Sequence, residues 1–253
     1  MQIVGYETGA GTDAGPALVL AEDRSTTRES LPVGRDLRYR LGERRCAGHI
    51  DGETHEPCSE TQAPYCETHT STWACARCTG ECSLPLETCR EEHVVYLAAF
   101  APDTFKVGVT RSWRLETRLR EQGADRAAHL RTVADGRTAR RIEADIATEV
   151  GDRVRVRTKV RGLHRTVDDE AWQRCLADFE PIATYEFAYD AALDDRPVVE
   201  TIAAGTVVGT KGRVLLLGTA GSTYAVDMRD LVGYEVTAGD PDRSLQSNLD
   251  AFE

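Results

Sequence analysis

Seven of the chain's eight cysteines fall between Cys46 and Cys89, among them His49, His55 and His69, in a segment poor in aliphatic residues. Such a stretch cannot bury a core of its own, so something other than packing must organise it. No basic segment followed by an apolar run opens the chain, so export and a disulfide framework are not expected, and the cysteines read as metal ligands. Cys46-x2-His49 and Cys66-x2-His69 share one form, each offering two ligands from a tight turn, as tetrahedral zinc requires. Cys75-x2-Cys78 is a third pair, followed closely by Cys82 and Cys89. The spacing predicts two zinc ions, one on Cys46, His49, Cys66 and His69, the other on Cys75, Cys78, Cys82 and Cys89. His55 and Cys58 stay open, either as replacements for a named ligand or as loop residues. Neither site has an obvious open position or a nearby general base, so both read as structural.

The charge pattern points to a partner. The chain of 253 residues carries a net −11, with only three lysines (Lys106, Lys159 and Lys211) among 31 basic residues. An acidic, lysine-poor, Asp- and Thr-rich composition resembles the proteins of salt-loving archaea, in which acidic surface is a solubility device. Against that background, Lys106 to Arg165 holds sixteen basic and eight acidic residues, a net of +8, which leaves −19 for the remainder. A basic segment in an acidic chain reads as a phosphate-facing surface, so DNA or RNA is the expected partner. Within it Arg153, Arg155, Arg157, Lys159 and Arg161 alternate with mostly apolar residues. At the period of a strand, all five cations would stand on one face as a backbone contact. No apolar run of about eighteen residues is present, so no membrane span is expected and the location reads as cytoplasmic. Oligomeric state is not legible.

Residues 93 to 143 carry the densest pattern. His93 to Phe100 and Phe105 to Thr110 read as two strands of a hairpin around Pro102-Asp103. Trp113 to Gln122 has Leu115 and Leu119 four apart and reads as a helix closed by Gly123. His129 to Ala134 is a strand candidate. Thr138 to Val150 has Ala139, Ile142, Ile146 and Val150 at helical spacing.

That order, with a Tyr in the first strand and a Gly closing the second, resembles the GIY-YIG nuclease superfamily. Val95-Tyr96-Leu97 matches its first motif, and Lys106-Val107-Gly108 followed by Thr110 its second, with Lys106 where the second Tyr would stand. Arg118 matches the helix Arg and Glu143 the Glu of the next helix. The resemblance implies phosphodiester hydrolysis. Tyr96 would position the attacking water, Arg118 would clamp the phosphate, with Arg114 competing for that role, and Glu143 would hold one divalent ion, magnesium. Lys106 would bind phosphate or lower a neighbouring hydroxyl's pKa. The cysteine block followed by this core also resembles the domain-of-unknown-function 2797 family of archaea and bacteria, which implies an architecture and no activity.

Elsewhere, residues 1–45 read as a β-rich segment and Asp168 to Phe179 as a helix whose Trp172, Cys175, Leu176 and Phe179 share one stripe, which makes Cys175 a core residue. From Ile182 onward short strands separated by Gly-containing turns read as a small antiparallel sheet or barrel with an acidic tail. The expected organisation is an N-terminal β-rich segment (1–45), a zinc-binding segment (46–92), a GIY-YIG-like core (93–180) and a C-terminal β-domain (181–253). The expected fold class is α+β, the core being a small antiparallel sheet flanked by helices. Three functions stay open: a zinc-containing nuclease, a nucleic-acid-binding module without cleavage, and a zinc-stabilised scaffold for an acidic protein partner.

Overall fold

The first and fourth strands of the chain find partners near its other end. A computed structural model describes residues 1–70, 78–82, 87–219 and 221–239. It divides the chain into two units, Met1–Ser71 with Tyr189–Glu253, and Thr72–Ala188. The first unit opens with β1 (Gln2–Thr8), β2 (Pro16–Glu22), β3 (Ser25–Ser30), β4 (Asp36–Arg44), β5 (His49–Asp51) and β6 (Thr54–Glu56). β1, β2 and β3 form an antiparallel meander, with Ile3 opposite Leu20 and Leu18 opposite Glu29.

The second unit holds the hairpin β7 (His93–Phe100) and β8 (Thr104–Arg111), helix α1 (Leu115–Gln122), strand β9 (Arg126–Val133) and helix α2 (Gly136–Ala147). Short helices α3 (Val156–Arg161) and α4 (Asp169–Leu176) and strand β10 (Ala183–Glu186) follow. Its sheet has the order β10-β9-β7-β8. Alternate residues of β7 (Val95, Leu97 and Ala99) face a core with Val107, Ala128 and Leu130, covered by Ala139 and Ile142 of α2 and Trp172 of α4. Cys175 packs against the same cluster. Helices α2 and α4 each start on an aspartate that satisfies an orphan amide: Asp135 accepts from the Thr138 N–H and Asp168 from the Ala171 N–H, both at 2.9 Å.

Strands β11 (Val198–Val199), β12 (Ala203–Lys211), β13 (Val214–Thr219), β14 (Ser222–Asp227) and β15 (Tyr234–Ala238) return to the first unit. They complete an 11-stranded sheet of order β11-β14-β13-β12-β4-β15-β1-β2-β3-β6-β5. Pairing is antiparallel except where Val198 and Val199 run parallel to Tyr224 and Ala225. Ile3, Leu18, Leu37, Leu215, Leu217 and Val226 form its main core. No described helix is long and apolar enough to cross a membrane.

Two expectations are corrected here. The α+β fold built on a small helix-flanked sheet, implied by the resemblance to GIY-YIG nucleases, is overturned. The chain is β-rich, 40% strand and 20% helix, and dominated by the mixed 11-stranded sheet. The pairings that build this sheet, β4 with β12 and β15 and β1 with β15, join positions far apart in sequence, and strand periodicity says nothing about such partners. The expected cationic strand at 153–161 is instead a short lead-in at 153–155 followed by helix α3. Helical geometry brings Val156 and Val160 to one side, with Val160 buried, and Arg157 and Arg161 to another. The five cations therefore do not share a face.

On the side of β7 away from that core, Tyr96 pairs across the ladder with Gly108 of β8 and is 1% exposed. A Cβ at position 108 would lie 2.6 Å from the Tyr96 Cζ and Oη, so the ring occupies space that only glycine leaves open. Gly108→Ala is expected to push the ring aside and destabilise the unit by about 1–3 kcal/mol, as overpacking does. Urea unfolding of the variant beside Tyr96→Phe, which keeps the ring and the glycine, measures this.

Candidate metal centre and cationic cleft

In the first unit, Cys46, Cys58, Cys66 and His69 bring one ligand atom each to within 4.8 Å of one another. The His69 Nδ1 is 3.4 Å from the Cys46 sulfur and 3.2 Å from that of Cys66, and the Cys58 and Cys66 sulfurs are 4.0 Å apart. A tetrahedral ion with metal–sulfur bonds of about 2.3 Å has edges of about 3.8 Å, so three thiolates and an imidazole at these separations fit zinc. The Cys46 sulfur also accepts the backbone N–H groups of Gly48 and Cys66, at 3.4 and 3.3 Å. Burial acts to raise the Cys66 thiol, but donors from His69, Cys46 and Thr68 outweigh it and hold the group at about 6. A ligand already near its thiolate form releases few protons on metal binding.

The loops that carry these ligands are seated on the sheet. Ala47 and Tyr65, each beside a ligand, pack with Val4, Ala21 and Val232. Gln2 Nε2 donates to the Cys46 carbonyl at 3.3 Å and to that of Gly233 at 2.9 Å.

His49, expected as a ligand, is not part of this cluster. Gly48, at φ +70°, turns the chain directly into β5, where His49 is exposed and stands opposite Glu56. Cys58 takes the fourth position. His55 is buried, with Nε2 2.7 Å from the Ala47 carbonyl, and braces the loop behind Cys46. Of the second expected set, Cys75 lies outside the described residues. Cys78, Cys82 and Cys89 are neighbours: burial pushes the Cys82 thiol up, helped by Cys78 and Cys89, and the Gly80 N–H donates to the Cys78 sulfur at 3.3 Å.

The second unit contains a cleft of ≈460 Å³ lined by Tyr96, Lys106, Gly108, Thr110, Arg111, Arg114, Arg118, Arg140, Glu143, Asp152 and Arg153, with Cys78, Cys89 and His93 among the remaining wall residues. Tyr96, Lys106, Arg118 and Glu143, singled out in the sequence, therefore share one space. The Tyr96 hydroxyl accepts from Gln122 Nε2 at 2.8 Å and is approached by Arg118. Burial raises its pKa, so it stays protonated and keeps its own hydrogen to donate. Glu143 is 12% exposed and receives Arg140 Nη1 at 2.6 Å, while Arg118 and Arg114 both bond Glu121 from the rim. Lys106 titrates at about 8, depressed by burial first and by Arg118 second.

Of the cations assigned to nucleic-acid contact, Arg114 and Arg153 line this cleft; Arg155, Arg157 and Arg161 are exposed and do not. Lys159 instead supports the site from behind. Its ammonium sits 4.1 Å from the Phe100 ring centroid and donates to the Gln122 carbonyl at 2.6 Å, holding the residue whose side chain reaches Tyr96. Gln122, Arg140 and Asp152 are not among the site residues expected from the sequence. Arg140 had a signal, since it stands one helical turn before Glu143.

A family model described as "Protein of unknown function (DUF2797)" matches residues 53–202, more than half of the chain. No curated protein and no solved structure matches it.

Cys58→Ser is expected to lower the zinc content of the purified chain, measured by mass spectrometry of the metal, and His49→Ala to leave it unchanged. Equal losses in both would return His49 to the ligand set. For the cleft, burial favours the neutral amine of Lys106, so the cation present below about 8 is lost above it. Affinity for pyrophosphate, followed by calorimetry, should therefore fall as pH rises through about 8, and Lys106→Arg should flatten that profile.

Proposed function

The chain belongs to the DUF2797 family, and we propose that its cationic cleft binds the phosphate backbone of a nucleic acid and hydrolyses a phosphodiester there. The observation that carries this reading is the composition of one cleft. Lys106, Arg111, Arg114, Arg118, Arg140 and Arg153 surround two carboxylates and a buried phenol in a chain whose net charge is −11. Arg118, 46% exposed at the rim, is free enough to exchange Glu121 for a phosphate, which its planar fork holds by two bonds.

The hydrolysis needs a water aligned with phosphorus and a proton for the departing oxygen. Tyr96, its hydroxyl fixed by Gln122, can donate to an equatorial oxygen or orient the water. Lys106, protonated below about 8, can bind the phosphate and give its proton to the leaving alkoxide as that P–O bond breaks, while the attacking water's proton passes to a non-bridging phosphate oxygen as the new P–O bond forms. Glu143 and Asp152, the two carboxylates that line the cleft, would be the hard oxygen donors to a divalent ion such as magnesium, which would supply Lewis-acid polarisation of the phosphate. In this reading zinc is structural, one ion on Cys46, Cys58, Cys66 and His69 and a second on Cys75, Cys78, Cys82 and Cys89.

A second reading, binding without cleavage, is favoured by the Arg140–Glu143 pair, which already neutralises the carboxylate. Glu143→Gln separates the two. Under the first reading, cleavage of labelled DNA and RNA substrates with magnesium or manganese falls about a hundredfold or more while affinity is kept. Tight binding with no cleavage by the unaltered chain would establish the second.

A further inference from the structure

Trp113 is the most exposed of the large apolar side chains among the described residues, at 68%. It sits in the turn Ser112–Arg114 between β8 and α1, and Arg111, two residues before it, and Arg114, next after it, line the cleft. The indole is held in place despite its exposure. Its Nε1 donates to Glu91 Oε2 at 3.1 Å, and Arg111 bonds the other oxygen of the same carboxylate at 3.2 Å. The Arg111 guanidinium lies 4.6 Å from the ring centroid and that of Arg114 5.8 Å. A flat aromatic surface is thus fixed at the mouth of a cationic cleft, with most of its area facing water.

We propose that Trp113 is a stacking platform for an unpaired nucleobase of the strand whose phosphate enters the cleft. This rests on the phosphate reading above and deepens it by naming the substrate class, single-stranded or looped nucleic acid. In a duplex both faces of a base are already covered by its neighbours, whereas an unpaired base has a π-face to offer. Every base presents such a face, so the platform is tolerant of sequence. The flanking guanidiniums strengthen it twice, by adding cation–π character and by neutralising the phosphate next to the stacked base. The indole pays no ordering cost on binding, because Glu91 and Arg111 already fix it.

The test compares three probes on the full chain with its metal: a short fluorescein-labelled oligothymidylate, an abasic oligomer of the same length and charge, and a blunt duplex. Trp113→Ala is expected to weaken the oligothymidylate by about 5- to 150-fold, Trp113→Phe by less, and neither to change the affinity of the abasic oligomer. The duplex should bind more weakly than the oligothymidylate and be insensitive to both variants. Equal affinity of the first two probes, or a loss in Trp113→Ala that is the same for both, would overturn the stacking inference. The second of these would mean that the indole merely positions Arg111 and Arg114, and either result would leave the phosphate reading standing. Failure of all three probes to bind the unaltered chain would overturn the phosphate reading, and the inference with it.

Discussion

Three sulfurs and an imidazole nitrogen within 4.8 Å form an arrangement suited to one tetrahedral cation. Thiolates at such separations repel, and the Cys58 thiol, although the Glu60 backbone acts to lower it, is raised by burial and by Cys46 and Cys66. The residues that supply them lie on loops with little apolar material, seated on the sheet through Ala47 and Tyr65. With a metal bound there, its affinity and the folding of residues 46–69 would be one equilibrium. The edge strands β5 and β6, which lie between the first two ligands in sequence, would depend on it too.

The cleft of the second unit works by the opposite logic, an excess of cations around few carboxylates. Much of its charge is provisionally paired: Arg114 and Arg118 with Glu121, Arg140 with Glu143, Arg111 with Glu91. These pairs keep guanidiniums ordered and solvated without an anion. Exposed ion pairs of this kind contribute little stability each, so exchanging Glu121 for a phosphate costs little. Lys106 is the exception, since burial makes its charge expensive and an arriving anion relieves that cost.

How far the sequence could be read depended on the range of the information. Periodicity is local, and the elements from His93 to Ala147 lie close to the runs that carry it. Cys66-x2-His69 was legible because both ligands come from one turn. Cys46-x2-His49 has the same spacing, but Gly48 launches a strand rather than closing a turn, and the cluster gathers Cys58 in place of His49. The alternation at 153–161 also misled: Val156 and Val160 satisfy the helical period as well as that of a strand, and the buried position of Val160 decided between them. The union of the chain's two ends into one sheet left no local trace at all.

That union has a consequence for how the chain emerges from the ribosome. The second unit, Thr72–Ala188, is continuous in sequence, whereas the first is interrupted by it. β4 needs β12 on one side and β15 on the other, and β15 also supplies the outer partner of β1. Vectorial synthesis thus delivers the central partners of β1 and β4 last, after the inserted unit has had time to fold. In the interval these strands present unpaired backbone edges, the kind of surface on which nascent chains associate with one another. The charged side chains of β4, with Asp36, Arg38, Arg40, Glu43 and Arg44 along its nine residues, act as gatekeepers during that wait.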